Sequence, residues 1–288
     1  MSESRDIEVV RDRASLRILR DEWDALAPPR AGEPWQSFSW VQACADTYSK
    51  HDELHVVTVR GNGMLTAAAP LVLRKSNQPL HPLRLEFLGG GDLKEPNRLI
   101  SADPVSLGLL ADYIAEERTY PIRLSRMPND RNVMNLLISK FRKYGWIIKT
   151  VSMPYPFVML ASGTSPIKRS LKEDLRRARR KAEARGDVTL EIIETQSPDY
   201  LRCRLADAFL IEASGWKGLN QTAILCHDAR REFFEKFAVA SMWDKTLKLA
   251  FLRIGGQLAA VHYAIEAANQ YWLLNIGYRD DFRECSPG

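Results

Sequence analysis

Two short segments of the chain, 193 residues apart, share one pattern, and this repeat constrains the fold more than any other feature. In each copy an apolar run reaches an arginine, passes a glycine turn and resumes as Leu-x-Ala. The matching residues are Arg60, Gly63, Leu65 and Ala67 in the first copy and Arg253, Gly256, Leu258 and Ala260 in the second. Apolar runs joined by a short glycine turn are typical of a β-hairpin. The repeat favours two copies of one module, although hairpins use glycine so often that coincidence stays open.

Strand and helix patterns alternate along the whole chain. Strands are predicted at 7–10, 55–60, 64–73, 83–88, 122–126, 146–152, 157–160, 188–194, 247–254, 257–266 and 271–278. Helices are predicted at 16–26, 38–48, 104–117, 130–143, 166–185, 198–213 and 229–242. The segment Met153-Pro154-Tyr155-Pro156 interrupts the alternation. We therefore predict an N-terminal module at residues 1–155 and a C-terminal module at residues 156–288.

Length and composition restrict the class of protein. A chain of 288 residues suits two domains. No apolar run approaches the roughly 18 residues of a membrane span, and the polar start of the chain has no secretory apolar segment. The four cysteines form no CxxC pair, which argues against a zinc site or a disulfide framework. We expect a cytoplasmic protein without a bound metal.

One segment carries the positive charge of the molecule. Between Lys168 and Arg185 there are nine basic and three acidic residues, while the net charge of the whole chain is only +5. Leu171, Leu175, Ala178 and Ala182 recur there at spacings of four, three and four, which predicts a helix with one packed face. The basic faces could be merely solvated, or they could bind the phosphates of a nucleotide, of coenzyme A or of RNA. No aromatic residues lie between the arginines, which weakens the case for single-stranded nucleic acid.

A second motif lies where the 198–213 helix ends, in the sequence Glu212-Ala213-Ser214-Gly215-Trp216-Lys217-Gly218. It could be a helix end whose Trp216 anchors the loop to the core. Alternatively, the loop presents Lys217 to an anionic group and Trp216 as an apolar wall.

Other candidate residues are isolated. His262 lies in the middle of an apolar strand, where a buried structural histidine is the commoner case and a general base the alternative. Tyr278 and Asp280 follow the last strand, and Ser286-Pro287 would suit the start of a further helix. Gly89-Gly90-Gly91 lacks the Lys-Ser/Thr of a P-loop.

Three elements occur in an order that resembles one family. They are Ser170-Leu171-x-x-x-Leu175-Arg176-Arg177-x-Arg179-Arg180, then Glu212-x-Ser214-Gly215-Trp216-Lys217-Gly218-x-x-x-Thr222-Ala223-Ile224, then Tyr278-x-Asp280 leading to Ser286-Pro287-Gly288. Together they resemble the GNAT-like acyltransferases of the CelD/BcsL-like group, found near cellulose-biosynthesis genes and similar to the Fem peptidyltransferases. The resemblance implies an α/β (α+β) fold of tandem GNAT-like modules, each a mixed, mainly antiparallel sheet flanked by helices. It also implies that the second module is incomplete at its C-terminus, since family members continue with a helix there.

The implied activity is transfer of an acyl group from acetyl-CoA or another acyl-CoA, used as co-substrate and not bound permanently. The acceptor would be an amine or hydroxyl of a small molecule or glycan precursor related to the cell envelope or to polysaccharide. The predicted catalytic candidates are Glu212, His262, Tyr278 and Asp280. The predicted substrate-binding residues are Trp216, Lys217 and Gly218. The predicted cofactor-binding residues are Arg176, Arg180, Ser286 and Gly288.

Two other functions stay open. The basic helix is compatible with a Fem-like aminoacyltransferase that uses aminoacyl-tRNA. The absence of the terminal helix is compatible with a non-catalytic GNAT-like module that binds an anionic polysaccharide precursor or a partner protein.

Overall fold

A computed structural model describes residues 5–78, 81–152, 154, 157–158 and 168–287. The strands are β1 Arg5–Val10, β2 Glu53–Leu54, β3 Val56–Gly61, β4 Met64–Ala69, β5 Leu71–Gln78, β6 His81–Phe87, β7 Ile100–Ser101, β8 Ile122–Arg123, β9 Val188–Ile193, β10 Leu247–Ile254, β11 Gln257–Ala267 and β12 Gln270–Tyr278. The α-helices are α1 Arg13–Ile18, α2 Arg20–Leu26, α3 Phe38–Asp46, α4 Pro104–Glu116, α5 Arg131–Lys143, α6 Arg169–Glu183, α7 Pro198–Ala213, α8 Trp216–Leu219 and α9 Asp228–Trp243. Short 3₁₀ turns lie at Pro34–Gln36, Ile224–Cys226 and Asp280–Cys285.

The described strands form three four-stranded sheets. Their orders are β1-β3-β4-β7, β2-β5-β6-β8 and β12-β11-β10-β9. Pairing is antiparallel between β1 and β3, β3 and β4, β5 and β6, and β9 and β10, whereas β6 and β8 run parallel. The predicted class, mixed and mainly antiparallel sheets flanked by helices, is confirmed.

The chain packs as two compact units, and each is made of separate segments. The first comprises Met1–Ile148, Asp228–Leu247 and Ile265–Trp272, and the second comprises Lys149–His227, Lys248–Ala264 and Leu273–Gly288. The predicted modules follow chain order, whereas this packing places α9 with the first unit. The predicted boundary at residue 155 stays a prediction.

The first unit has two apolar centres. In one of them α4 and α5 cover the strands, with Leu110 and Phe141 packed against Val59 and Phe87. α4 begins at Asp103, whose carboxylate accepts the free N–H groups of the first turn and is followed by proline.

The second centre joins α3 to α9. The ring of Trp40 lies 5.0 Å from the rings of both Phe233 and Phe237, edge to face. All three side chains are buried, so α9 completes the apolar interior of the first unit.

In the second unit, α7 lies on one face of the β9–β10 pair and the C-terminal end of α6 lies on the other. On one face the guanidinium of Arg204, from α7, lies 4.4 Å from the ring centre of Phe251. On the other face Ala182 of α6 packs with Ile254 and Phe282. The close approach of the turns at Gly186 and Gly255 brings α6 to this end of the sheet, since a Cβ on Gly186 would collide with the Gly255 backbone.

The two glycine hairpins share a side-chain contact as well as a sequence pattern. Nη1 of Arg60 donates to the carbonyl of Gly63 at 3.3 Å, and Nη1 of Arg253 donates to the carbonyl of Gly256 at 3.2 Å.

Each arginine also meets a glutamate on the neighbouring strand. Arg60 lies 3.9 Å from Glu8 of β1, and Arg253 lies 2.9 Å from Glu191 of β9. In both pairs of strands the glutamate stands two residues beyond the residue opposite the arginine. Identical positions of the same ion pair support the predicted duplication.

Several local predictions differ from the structure. The predicted 64–73 strand is divided into β4 and β5, which belong to different sheets, and the predicted 16–26 helix is divided into α1 and α2. Residues 146–152 form no strand, because no strand lies beside them and their side chains after Trp146 are exposed. Phe157 and Val158 are irregular and exposed, and the rest of the predicted 157–160 strand lies outside the described residues. The predicted packed face of α6 is buried only at Ala182.

Candidate active site

The loop after α7 folds back on the helix that precedes it. α7 begins at Ser197, whose hydroxyl accepts the Tyr200 N–H, and it ends at Ala213. The short helix α8 then lies so close to the end of α7 that a Cβ on Gly218 would collide with the carbonyl oxygen of Ala213. Only glycine therefore fits at position 218. The close contact between Gly218 and Ala213 fixes the orientation of α8 and of its side chains.

An ion pair between a partly buried lysine and a buried glutamate follows from this geometry. Nζ of Lys217 lies 3.2 Å from Oε1 of Glu212, and it donates to Oδ1 of Asn275 at 2.5 Å and to the carbonyl of Ile276 at 2.7 Å. Asn275 in turn donates to Oε1 of Glu212 at 3.3 Å. Glu212 is 3% exposed and Asn275 8% exposed. The buried Glu212 carboxylate and the partly buried Lys217 ammonium are tolerated here because they face each other and are hydrogen-bonded to neighbouring polar groups.

Glu212 also holds the following loop. Its Oε2 accepts the backbone N–H of Ile224 at 2.9 Å. On its other side, α7 touches β12 so closely that a Cβ on Gly277 would collide with the Glu212 backbone. The carboxylate therefore ties α7, α8, the 3₁₀ turn after α8 and β12 into one rigid corner.

The structure thus brings two predicted site residues together in a way the sequence did not indicate. Lys217 directs its ammonium inward to Glu212 and β12, whereas the sequence suggested an outward cation for an anionic ligand. Trp216 is 56% exposed, so it does not anchor the loop to the core. It leaves an indole surface beside Leu219, which is 86% exposed. The binding roles of Trp216, Lys217 and Gly218 stay predictions.

The other catalytic candidates lie around this corner or apart from it. The carbonyl of Tyr278 accepts the Ser214 hydroxyl at 3.4 Å, which places the Tyr278 backbone beside the start of α8. Asp280 is exposed at the first position of the 3₁₀ turn after β12.

His262 lies on β11 and is partly buried. Burial lowers the pKa of His262, which favours a neutral imidazole able to accept a proton. None of the described hydrogen bonds joins His262 to the Glu212–Lys217 pair.

The predicted phosphate contacts do not form one site. At about 100° per residue, Arg176 and Arg180 lie roughly 120° and 160° around α6 from Ala182, the residue that packs beside Phe282. Both arginines are exposed and face away from the turn that leads to Ser286. Ser286 is exposed and has a left-handed backbone, with φ 45°. Gly288 lies outside the described residues.

Two other arginines do reach that turn. Nη1 of Arg185 donates to the carbonyl of Asp281 at 2.5 Å, and its guanidinium lies 4.4 Å from the Phe282 ring centre. Arg279 pairs with Asp281 at 2.5 Å and lies 5.7 Å from the same ring.

Sequence reasoning did not select Arg185, Arg279 or Asn275 as site residues. Arg185 is the last cation of the basic segment and Arg279 directly precedes Asp280. Their positions next to predicted site segments were the only signal in the sequence that pointed to them. Asn275 stands alone as a polar residue within the last strand, which is a second usable signal.

Metal and membrane features are absent from the residues that the structure describes. Within those ranges no three His, Cys, Asp or Glu side chains could together hold a metal ion. No helix in the same part of the chain has the length and apolar character needed to cross a bilayer.

Comparison with known proteins shows what the C-terminal part of the chain and the fold are similar to. A search of curated proteins found no match. The structure is similar to a solved structure titled "Crystal structure of FemX", with a TM-score of 0.59 and 12% identity over 93% of this chain and 81% of that chain. At this identity the similarity shows the fold alone, and membership of the CelD/BcsL-like group stays a prediction. Residues 169–288 match the family described as "Acetyltransferase (GNAT) domain". The C-terminal part of the chain thus matches a GNAT-type acetyltransferase domain, within a chain whose fold is similar to that of FemX.

Proposed function

We propose that the protein transfers an acyl group from an acyl-CoA to an amine or hydroxyl of an acceptor related to the cell envelope or to polysaccharide. The match of residues 169–288 to a GNAT acetyltransferase domain carries this proposal. The same residues contain the Glu212–Lys217 corner, the exposed Trp216 and the arginines beside the 3₁₀ turn after β12.

The proposed roles follow from which side chains already have hydrogen-bond partners within the protein. Glu212 has donors on both oxygens and Lys217 is bound to the β12 backbone, so we assign them to positioning: they hold β12 beside α8. Direct transfer needs the acceptor held against the thioester carbonyl and a base for its proton. His262, held neutral by burial, is the proposed base. Tyr278 and Asp280 are the remaining candidates for proton transfer, and Trp216 is proposed to contact the acceptor.

The donor phosphates are proposed to lie at the turn that ends at Ser286. Arg185 and Arg279 bring two guanidinium groups to that turn, and guanidinium binds phosphate through paired N–H donors. Our proposal therefore gives Arg185 and Arg279, with Ser286 and Gly288, the role that the sequence suggested for Arg176 and Arg180.

Calorimetry with the full chain tests this proposal, using acetyl-CoA and longer acyl-CoA. We expect binding that Arg185→Gln and Arg279→Gln each weaken about tenfold, as for the loss of one charge-assisted contact. The matched control is Arg176→Gln with Arg180→Gln, which should bind as the wild type does. If no acyl-CoA binds, the assignment of acyl-CoA as donor is wrong. If the control variant binds more weakly than the wild type, Arg176 and Arg180 of α6 contact the phosphates after all.

Transfer from aminoacyl-tRNA is the second candidate function, favoured by the FemX-like fold and by the basic surface of α6. A single-turnover assay with radiolabelled aminoacyl-tRNA distinguishes the two donors. Transfer that acyl-CoA does not inhibit, with tRNA binding that falls steeply as salt rises, supports the tRNA donor. If the protein transfers a group from neither donor, the remaining hypothesis is a non-catalytic GNAT-like binding module.

A further inference from the structure

The turn after β12 contains acidic residues beside the arginines that we assign to the donor phosphates. Residues 279–285 include two arginines and three acids, and Arg185 contributes a third arginine from just beyond α6. The turn and Arg185 together are therefore neutral. Whether this region attracts an anion depends on which arginines the acids already neutralise.

Asp281 is the acid that contacts both proposed phosphate-binding arginines. Its carboxylate accepts Nη2 of Arg279 at 2.5 Å. Its backbone carbonyl accepts Nη1 of Arg185 at 2.5 Å. One residue thus presents oxygen atoms to two guanidinium groups, which is the kind of contact that phosphate oxygens make with arginine. Asp281 therefore occupies hydrogen-bonding positions that a bound phosphate group would need.

A buried aromatic ring keeps the two guanidinium groups near each other. Phe282 is 3% exposed, and the guanidinium carbons of Arg185 and Arg279 lie 4.4 Å and 5.7 Å from its ring centre. The two carbons are thus within about 10 Å of each other, the range over which charges interact at 0.1 M salt. The like charges repel, and the Asp281 carboxylate offsets this repulsion in the free protein.

The pair between Arg279 and Asp281 is weak enough to be displaced. The Arg279 side chain is 37% exposed and the Asp281 side chain 63% exposed, and an exposed ion pair changes an equilibrium by about fivefold or less. A phosphate dianion carries more charge than a carboxylate and accepts paired N–H donors from a guanidinium group. It can therefore replace the carboxylate, whereas a singly charged anion offers Arg279 no more than Asp281 does.

We propose that Asp281 is an internal competitor for the donor phosphates: its carboxylate holds Arg279 until a dianionic phosphate group displaces it. This inference rests on the proposed function, which places the donor phosphates at Arg185 and Arg279. It adds a residue that selects the ligand by charge, because displacement of the carboxylate favours dianions over singly charged anions. Arg185 binds the backbone of Asp281, so a substitution of the Asp281 side chain leaves that contact in place.

Calorimetry of the full chain with two separate probes, pyrophosphate and acetyl-CoA, tests this inference. Asp281→Asn removes the competing charge and retains the shape of the side chain. It should strengthen the binding of both probes about fivefold, the upper effect of an exposed ion pair. The matched control is Glu284→Gln, which removes one negative charge from an exposed position of the same turn. Because its charge acts only through screened solvent, the control should change binding less than about twofold.

A double-variant cycle tests whether Arg279 is the group for which Asp281 competes. In the wild type, Arg279→Gln should weaken binding about tenfold. In the Asp281→Asn background the same change should weaken binding about fiftyfold, because Arg279 is then fully available to the phosphate. In a chain that already contains Arg279→Gln, the Asp281→Asn substitution should leave the affinity unchanged.

The outcomes separate this inference from the proposed function. If acetyl-CoA binds the wild type and Asp281→Asn equally, the inference is wrong and the donor assignment stands. If pyrophosphate binds Asp281→Asn more tightly than the wild type but acetyl-CoA binds neither, the inference stands and the proposed donor is wrong.

Three other results would overturn the inference. Weaker binding by Asp281→Asn would mean that Asp281 arranges the arginines instead of competing with the ligand. An equal gain in the Glu284→Gln control would mean that only the net charge of the turn matters. Binding of neither probe to any variant would contradict both the inference and the proposed donor.

Discussion

Replacing Lys217 by methionine tests the buried ion pair directly. The variant keeps most of the alkyl chain and removes the ammonium. Glu212, which is 3% exposed, would retain its bonds from Asn275 and the Ile224 N–H but would face no cation. Leaving one partner of a buried ion pair uncompensated costs about 3–5 kcal/mol.

The reverse substitution should cost less. In Glu212→Gln the ammonium of Lys217 retains Asn275 and the Ile276 carbonyl as acceptors, and its side chain is 19% exposed, so water solvates it in part. We expect a loss of about 2 kcal/mol, typical of a lost bond to a charged group. The double variant contains neither charge, so its cost should be below the sum of the single costs by about 2 kcal/mol.

Urea unfolding followed by circular dichroism measures these differences. A loss of about 4 kcal/mol should also lower the melting temperature by roughly 10 °C in a protein of this size. Lys181→Met is the matched control, because Lys181 is exposed and unpaired within the described residues. Either a Lys217→Met variant as stable as the control or strictly additive single costs would refute the ion pair.

Three further predictions concern stability. Burial lowers the pKa of His55, whose ring nitrogens have no hydrogen-bond partner among the described residues. The contribution of neutral His55 to the free energy of unfolding is therefore complete above pH about 6.5. Below that pH it falls, because the unfolded chain binds the proton more readily than the folded one. Urea unfolding at pH 7 and pH 5 should show that His55→Leu loses less stability on acidification, by at most about 2 kcal/mol; equal losses would contradict this. Gly277→Ala should destabilise by about 2 kcal/mol or more, because its Cβ meets the Glu212 backbone. Gly108→Ala, in α4 with open space around it, should stabilise by about 0.5–1 kcal/mol.

Local signals in the sequence predicted most of the elements. The glycine hairpins depend on residues only a few positions apart, and the structure confirms them. The predicted strand at 146–152 was wrong because a strand also needs a neighbour with free backbone groups. No local pattern contains that information.

The arrangement of the candidate site depends on contacts between distant residues. Glu212 and Lys217 are five residues apart, yet they face each other only because α8 folds back over the end of α7. Asn275 joins them from β12, about 60 residues later. The helical period of α6 correctly indicated one apolar face, but the period cannot tell whether another element covers that face.

The packing of α9 in the first unit has a consequence for synthesis of the chain. Trp40 is buried by Phe233 and Phe237, which leave the ribosome long after α5 has emerged. At about 5–20 residues per second, the N-terminal half waits roughly 5–20 s with this aromatic surface uncovered. A nascent chain in that state is a natural client for a chaperone. By the same reasoning, residues 1–155 expressed alone should aggregate, whereas supplying α9 in trans should help to keep them in solution.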